Sequence, residues 1–364
     1  KKEKIDLVGI YANTICFKDT LKMLNALQKL RERGKWKGKI AVGGPHTSVA
    51  VETIPEFVDH IVQGEGEEAI LRIANGIEDR IIRSERITDL DSLPHPAWDY
   101  FISLPYDLSL EWIGISPVFP MNTSRGCPFP CTFCSVSSIW GRMYTMMSAQ
   151  RIYDDIVYLQ KKYSIAGVYF REDNFTLNRN RLETFCELLI KKGCKIKWAC
   201  ESRIDSLDRS ILEKMYKAGC RGLYLGVESG SERMLSFLKK NITVEDIRRV
   251  FKECNSIGIK TAASVMVGLP TETFDERKQT LKLIEEIKPT TTWINIFVGI
   301  PGSELYQYIL SKKLYIYKDK NNLLYLKGHN HLVDEFYGGK KSAKIPFFGK
   351  RLNEKAKEFF SKSR

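Results

Sequence analysis

Between residues 119 and 310 the sequence alternates a strand pattern with a helix pattern six times. The apolar runs end near Thr123, Phe170, Ala199, Val227, Val267 and Phe297. Helical patterns follow, for example at residues 149–163, 179–192, 207–218, 244–257 and 274–287. Consecutive βα units with right-handed crossovers place their strands side by side. The sequence therefore predicts an α/β fold with a partial, open (βα)6 barrel of parallel strands.

Polar or glycine-rich loops follow all six predicted strands. The first is a cysteine loop, and the others begin at Arg171, Glu201, Gly226, Gly268 and Gly299. In a βα barrel these loops share one face, where active sites are built. Six unusual loops in register therefore predict a single active-site mouth.

Residues 5–76 also read as alternating strands and helices. Strand patterns cover Ile5–Ile10, Lys39–Val42 and His60–Val62, and helical patterns run over Asp19–Arg33 and up to Ile73. This order predicts a Rossmann-like parallel sheet with loops at its carboxyl edge. Prolines interrupt the alternation of strand and helix patterns between residues 78 and 118. We assign residues 1–77 to a partial Rossmann-like domain, 78–118 to a linker, 119–310 to the barrel and 311–364 to a basic C-terminal extension.

Composition narrows the class of protein. The chain has 364 residues, of which 43% are hydrophobic, and no apolar run approaches the roughly 20 residues of a membrane helix. Six of its nine cysteines are scattered singly, which favours small buried side chains in a reducing cytoplasm over a disulfide framework. The first residue is Lys1, so we expect a fragment, a processed form or a chain whose true start is missing.

The net charge of +13 is concentrated near the C-terminus. From residue 311 onward, 14 Lys and Arg stand against 5 Asp and Glu, and an amphipathic segment lies near residues 350–360. An anionic partner is one interpretation of this tail, and a solvated lysine-rich face is the one we favour. Nucleic-acid binding is not expected, because no basic motif interleaved with aromatic residues appears.

Cys127, Cys131 and Cys134 form a CxxxCxxC motif directly after the first barrel strand. Three thiolates this close together in a reducing cell predict a metal site with an open coordination position. Structural zinc prefers four ligands, usually in two CxxC-like pairs, and no second pair exists. The segment 328–331 could add a histidine but is more readily a polar loop. Iron–sulfur clusters accept cysteine thiolates, so we favour a cluster over zinc.

This motif, with Phe133 before its last cysteine, resembles that of the radical S-adenosylmethionine (SAM) superfamily. The resemblance covers roughly residues 119–310 and includes the six-unit barrel. It implies a 4Fe–4S cluster held by the three cysteines, with a fourth iron that chelates the amino and carboxylate groups of SAM. Electron transfer then gives a 5′-deoxyadenosyl radical, which takes a hydrogen atom from substrate.

The same resemblance implies roles for the other loops. Glu172, Asp173 and Asn174 occupy the position that receives the methionine ammonium, as carboxylate and amide acceptors can. Arg203 is placed to pair with the methionine carboxylate. Glu228 and Ser229 resemble ribose contacts, and Gly268, Leu269 and Pro270 lie where backbone and apolar contacts hold adenine. Ser231 and Thr243, by contrast, are predicted to be helix N-caps.

The front part of the chain resembles the cobalamin-binding domain of one radical SAM subgroup. The segments 42–48, 62–68, 93–99 and 125–128 carry this second resemblance. It implies a cobalamin pocket at glycine-rich sheet-edge loops, with Gly43, Gly44, Pro45, His46, Gly64 and Gly66 as candidates. About two of the five βα units of that domain and its DxHxxG motif are absent. His46 is therefore expected to line the pocket at most, without binding cobalt, and the half sheet, which would expose an edge, favours a fragment.

Three functions remain open on the sequence. The first is a cobalamin-dependent methyltransferase that acts on an unactivated carbon of a small molecule, lipid or peptide. The second is a cobalamin-independent radical enzyme for oxidation, cyclisation or rearrangement, and the third is a metal-binding module without catalysis that contacts an anionic partner. The family implies a low-potential flavodoxin or ferredoxin as electron donor. Tyr169, Trp198, Tyr224 and Trp293 could face the barrel interior and the substrate, although aromatic strand residues more often pack in a core.

Overall fold

The computed structural model describes residues 4–102, 104–326 and Leu332. The first unit is a four-stranded parallel sheet with strand order β1-β2-β3-β4. Its elements are β1 (Leu7–Tyr11), α1 (Phe17–Glu32), β2 (Lys39–Gly43), α2 (Pro45–Val49), β3 (His60–Gln63), α3 (Gly66–Ala74) and β4 (Ile81–Arg83).

Helices cover both faces of this front sheet. Because side chains alternate along a strand, Ile40 and Val42 pack with Leu24 of α1 on one face. Ala41 packs with Ile73 of α3 on the other face. Parallel strands buried on both sides direct their carboxyl ends, and the loops that follow, to one edge.

The segment 78–118, predicted as a linker, contributes a strand and a plug. Ile81–Arg83 pairs in parallel with β3 as the fourth strand. A strand of three residues is too short to be predicted from hydrophobic periodicity. The segment then lies along the barrel, where His95 Nδ1 lies 2.8 Å from Asp155 Oδ1. Near its end, Leu110 and Ile115 form a bridge beneath the barrel.

The second unit is the predicted open (βα)6 barrel. Its six parallel strands have the order β5-β8-β9-β10-β11-β12, and the rest of the unit consists of helices and two short two-stranded sheets. The elements are α4 (Trp98–Ile102), β5 (Val118–Met121), β6 (Ser124–Arg125), α5 (Val136–Trp140), β7 (Thr145–Met146), α6 (Ala149–Tyr163), β8 (Gly167–Phe170), α7 (Arg179–Lys191), β9 (Lys197–Ser202), α8 (Arg209–Lys217), β10 (Cys220–Glu228), α9 (Glu232–Phe237), α10 (Val244–Ile257), β11 (Lys260–Val267), α11 (Phe274–Ile287), β12 (Thr291–Ile296), α12 (Glu304–Ser311), β13 (Tyr315–Lys318) and β14 (Leu324–Leu326).

The barrel helices begin at side-chain caps. Ser231 accepts a hydrogen bond from Met234 N, and Thr243 forms a capping box with Asp246, so both predicted N-caps are confirmed. Outward-facing strand residues pack under these helices in one large core. Trp198 belongs to that core, because it is fully buried and donates from Nε1 to the carbonyl of Ala218.

The scattered cysteines are mostly small core residues, as predicted. Cys186, Cys200, Cys220 and Cys254 are buried, whereas Cys194 is half-buried and Cys16 is exposed, so for Cys16 the prediction is wrong. Cys16 ends a short 3-10 helix just before α1, outside the core. Most of the predicted basic extension, including residues 328–331 and the amphipathic segment near 350–360, lies outside the described residues.

Candidate active site

The loops of the two units face each other across a cavity of about 830 Å³. The front sheet contributes the turns that follow its strands, and the barrel contributes its cysteine loop and the ends of β8 and β9. Lining residues from the front sheet include Gly43, Gly44, Pro45, Gly64 and Gly66, and those from the barrel include Ser135, Trp140, Arg171, Asp173 and Glu201. Five of the six candidates for a cobalamin pocket thus line one cavity that the barrel mouth also lines.

Glycines bring backbone to the surface of this cavity. Gly44 has a φ of +109°, and a Cβ there would lie 2.7 Å from the carbonyl oxygen of Ala12, so a side chain does not fit. At Gly66 a Cβ would meet no atom within 4 Å, because the position opens into the cavity. This surface suits a large flat ligand, since backbone approach without side chains is what glycine permits.

His46 does not line the cavity, and its assignment to the pocket is wrong. The ring is fully buried and stacks on Phe17 with 3.8 Å between ring centroids. Nδ1 lies 3.0 Å from the Thr14 hydroxyl, and Nε2 lies 2.8 Å from the Thr53 hydroxyl. Burial lowers the pKa of His46 to about 4. With both ring nitrogens bonded within the fold, His46 joins α2 to Thr14 and Thr53 on either side of it in sequence.

The three cysteines lie on the loop between β6 and α5, and all three are half-buried. Cys134 N donates to the carbonyl of Cys131 at 3.1 Å, which folds the loop back on itself. Burial raises the pKa of Cys134 to about 12. A thiol in that environment becomes a thiolate only with a strong counter-charge, such as iron.

Within the described ranges, no three His, Cys, Asp or Glu side chains are arranged around a single metal ion. A 4Fe–4S cluster makes a different demand, because each cysteine binds its own iron and the thiols need not converge on one point. The donor set, three soft thiolates on one loop beside a cavity, fits such a cluster with one iron left for another ligand.

Arg203 lies beside the cysteine loop. Its guanidinium is 3.7 Å above the Phe129 ring, and Nη1 lies 3.3 Å from Cys131 Sγ. The other side of the fork donates to both oxygens of Asp205, at 2.9 and 2.7 Å. Asp205 therefore holds this guanidinium where it can donate to a cysteine sulfur.

The three candidates for the ammonium site differ in their surroundings. Glu172 is buried, and its carboxylate accepts from the backbone N–H groups of Thr123 and Ser124. These bonds connect the end of β8 to the start of the cysteine loop, and they leave Glu172 little capacity to accept further hydrogen bonds. Asp173 lines the cavity and accepts from Gly126 N at 2.9 Å. Asn174 is fully buried, and its Nδ2 has no hydrogen-bond partner in the described part of the chain.

Glu228 stands at a bulge in β10 with a φ of +63°. It forms a buried ion pair with Lys240, whose Nζ lies 2.7 Å from Glu228 Oε1. Lys240 Nζ also lies 5.9 Å from the centroid of Phe133. No sequence pattern singles out Lys240, because it is one of two adjacent lysines after α9 and belongs to no motif. Ser229 is fully buried and lies 3.3 Å from the Thr280 hydroxyl.

Gly268, Leu269 and Pro270 line a second cavity of about 350 Å³, near Glu272, Arg277 and the turn before β13. Leu269 is buried in the same apolar cluster that Phe133 packs against. The predicted adenine segment therefore lies close to the cysteine loop but lines a different cavity from the glycines of the front sheet.

An ionic network along the wall of the main cavity joins the two units. Glu65 accepts from Ile87 N at 2.6 Å and lies 3.1 Å from Arg125 Nη1 and 3.7 Å from Arg86 Nε. Arg125 also pairs with Glu67. Arg125 is two residues before Cys127, so this network anchors the cysteine loop to the glycine-rich loop after β3. No sequence pattern indicates these contacts.

The chain is similar to known proteins over the segments that form this site. Residues 121–284 match the family model of the Radical SAM superfamily. The uncharacterized methyltransferase PH0819 of Pyrococcus horikoshii is 29% identical over 86% of this chain and 71% of its own length. The anaerobic magnesium-protoporphyrin IX monomethyl ester cyclase of Rubrivivax gelatinosus is 26% identical over 74% of this chain. The chain spans about half of that cyclase, with 53% covered.

Two solved structures share the fold across both units. The cobalamin-dependent SAM radical enzyme OxsB, with aqua-cobalamin and SAM bound, aligns with 98% of this chain and 58% of its own, at a TM-score of 0.73 and 18% identity. The methyltransferase TsrM of Kitasatospora setae, with cobalamin and a 4Fe–4S cluster bound, covers 86% of this chain and 68% of its own, at a TM-score of 0.70 and 15% identity.

No helix among the described residues has both the length and the apolar character to cross a membrane. The family match covers the cysteine loop together with strands β8 to β11, so among the functional classes left open by the sequence it supports an enzyme. A binding module without catalysis is therefore not supported. The chain therefore carries a radical SAM domain at residues 121–284 and is a radical SAM enzyme.

Proposed function

We propose that this protein is a cobalamin-dependent radical SAM methyltransferase acting on an unactivated carbon. The cavity of about 830 Å³ between the glycine-rich turns of the front sheet and the cysteine loop carries the proposal. It offers a large ligand a surface of exposed backbone on one side and a thiolate loop on the other. The likeness to OxsB and TsrM, whose structures contain cobalamin, supports the same interpretation.

Cys127, Cys131 and Cys134 would hold the cluster, and the front-sheet glycines would hold cobalamin. When bound, the cluster with SAM supplies a carbon-centred radical, and cobalamin with SAM supplies a methyl group. The chain's own residues bind and orient these groups and exclude water from them. Arg203 donates toward Cys131 Sγ, and the Glu65 network fixes the loop that carries Cys127.

Asp173 is our candidate for the methionine ammonium, because its carboxylate lines the cavity while Glu172 is tied to Thr123 and Ser124. Arg203, beside Cys131, and Lys240, beside Phe133, are our candidates for the cations that receive the methionine carboxylate. We further propose a reducing cytoplasm as the location and a low-potential flavodoxin or ferredoxin as the electron donor, since cluster reduction requires one.

A second candidate is a radical cyclisation or rearrangement. The relative from Rubrivivax gelatinosus, named as a cyclase, is the observation that favours it. Both reactions use the same radical and differ in whether a methyl group reaches the product.

The test is anaerobic incubation of reconstituted protein with methyl-labelled SAM, cobalamin, a low-potential reductant and the small-molecule and peptide fractions of a cell extract. Methyl transfer predicts label in a product together with 5′-deoxyadenosine. Accumulation of 5′-deoxyadenosine with no label outside SAM would contradict it and favour the second candidate. The Cys131→Ala variant should form neither product, whereas Cys194→Ala, which changes a half-buried cysteine outside the loop, should behave like the wild type.

A further inference from the structure

The inner wall of the barrel is polar and open. Side chains that point outward, such as Val168, Cys200 and Leu225, are fully buried beneath the helices. Their inward neighbours on the same strands remain partly accessible to solvent, although they lie at the centre of the fold. The accessible inward residues include Tyr169, Glu201, Tyr224, Ser264, Met266 and Trp293.

The segment Leu110–Ile115 closes the lower end of this space. A Cβ at Gly222 would lie 2.6 Å from both Ile113 and Trp112, which shows how closely the plug fills the base of the barrel. At the upper end, Arg171 and Glu201 line the main cavity. The barrel interior, which we call the chamber, therefore opens at its upper end next to the proposed cofactor site.

Among the glutamates at the barrel strand ends, Glu201 has no buried cationic partner within the residues that the structure describes. Glu172 is tied to backbone donors, and Glu228 is paired with Lys240. Glu201 instead accepts from the neutral hydroxyl of Tyr169 at 3.1 Å. Arg171 Nε lies 3.8 Å away, outside hydrogen-bonding distance, on a side chain that is 73% exposed at the rim. Burial raises the pKa of Glu201, so a cation bound beside it would offset a real electrostatic cost.

Aromatic side chains lie beside this carboxylate and further along the inner wall of the barrel. Tyr169 contacts it directly, and Tyr224 follows on the next strand, in register with Glu201. The rings of Tyr224 and Trp293 are 6.5 Å apart. Trp293 Nε1 is buried without a hydrogen-bond partner among the described side chains and backbone groups. Ring faces attract ammonium groups, and a buried indole N–H requires an acceptor.

We propose that the chamber binds a substrate that carries a protonated amine, held by Glu201 among these rings, with an acceptor group near Trp293 Nε1. This inference rests on the proposed function, because it names the substrate class of the same barrel. It excludes a purely hydrocarbon lipid as the substrate, since such a molecule would leave Glu201 and the indole N–H without partners.

The test measures binding of three probes of equal chain length to the reconstituted protein by isothermal titration calorimetry. The probes are n-hexylamine, n-hexanol and n-hexanoate. We expect the wild type to bind the protonated amine in preference to the other two. Glu201→Gln, which keeps the shape and removes the charge, should weaken amine binding about tenfold, the scale of a charge-assisted hydrogen bond. Glu187→Gln on the outer face of α7, where the side chain is 64% exposed, is the matched control and should bind like the wild type.

Equal amine affinity in Glu201→Gln and wild type, or tighter binding of hexanol or hexanoate than of the amine, would overturn the inference. If the variant does not fold, the same probe comparison on the wild-type chain with saturating SAM, which fills the proposed ammonium site at Asp173, decides the matter. Reductive cleavage of SAM is measured separately without any probe. Amine binding without SAM cleavage would count against the proposed function only, whereas SAM cleavage without amine preference would count against the substrate class only.

Discussion

Glu228 and Lys240 form an ion pair of 2.7 Å whose two side chains are 9% and 6% exposed. The pair lies over Gly226, where a Cβ would come within 2.4 Å of Glu228 Oε1. A buried pair contributes little when intact, but removal of one partner leaves an uncompensated charge.

Lys240→Met should therefore lower the free energy of unfolding by about 3–5 kcal/mol. The double change Lys240→Met with Glu228→Leu should recover most of that loss, because no buried charge remains. Urea unfolding followed by circular dichroism measures both variants. Lys239→Met is the control, since Lys239 is 48% exposed and pairs with an exposed glutamate. Equal losses in the single and the double variant would contradict this account.

Arg203 should tune the cluster through its donor to Cys131 Sγ. Lysine cannot reproduce the fork that Asp205 holds, so Arg203→Lys should weaken that hydrogen bond and move the cluster's reduction potential to more negative values. A redox titration monitored by electron paramagnetic resonance measures the shift. Arg209→Lys, on an arginine that is 59% exposed on α8, should leave the potential unchanged. A positive shift in Arg203→Lys would show that the guanidinium acts in another way.

Glu65 should matter to the cysteine loop although it is not a cluster ligand. Glu65→Gln removes the negative charge between Arg86 and Arg125, so we expect a loss of about 3 kcal/mol in stability. We also expect fewer iron atoms per chain after anaerobic reconstitution, because the loop that begins at Arg125 loses its anchor. Glu68→Gln changes an exposed glutamate in the first turn of α3 and should have full iron content. Unchanged iron content in Glu65→Gln would contradict an anchoring role.

Glu272 should give the fold a pH dependence. Burial raises its pKa from 4.5 to about 7. Between about pH 4.5 and 7 the folded chain therefore keeps a proton that the unfolded chain has lost, so stability falls as the pH rises through this range. The total change is up to about 3 kcal/mol. Glu272→Gln should remove this part of the pH dependence of the free energy of unfolding. Identical pH profiles of the free energy of unfolding for the variant and the wild type would contradict the shift.

The barrel was predictable because its signals are local. Strand runs, amphipathic helices and caps such as Thr243 all lie within a few residues of one another in sequence. The strand Ile81–Arg83 was missed because three residues carry no periodicity, and it is held in place by pairing with β3.

The site was only partly predictable because its contacts are long-range. Glu172 and Asp173 are adjacent in sequence but lie in different surroundings. Glu172 binds the backbone of Thr123, 49 residues away, whereas Asp173 lines the main cavity. His46 was placed in the pocket by its motif, but the distant partners Thr14 and Phe17 turn its ring into the core. No sequence pattern could have linked Lys240 to Glu228 or Glu65 to Arg125.

The central claim is that the cavity between the two units binds cobalamin beside the cluster. Equilibrium binding of hydroxocobalamin to the wild type and to Gly66→Leu, followed by the change in its visible absorbance, tests this claim most directly. A Cβ at Gly66 enters open cavity without touching protein, so the variant should fold, keep its iron and still cleave SAM, but bind cobalamin much more weakly. Equal cobalamin binding by both proteins, or none by the wild type, would contradict the account.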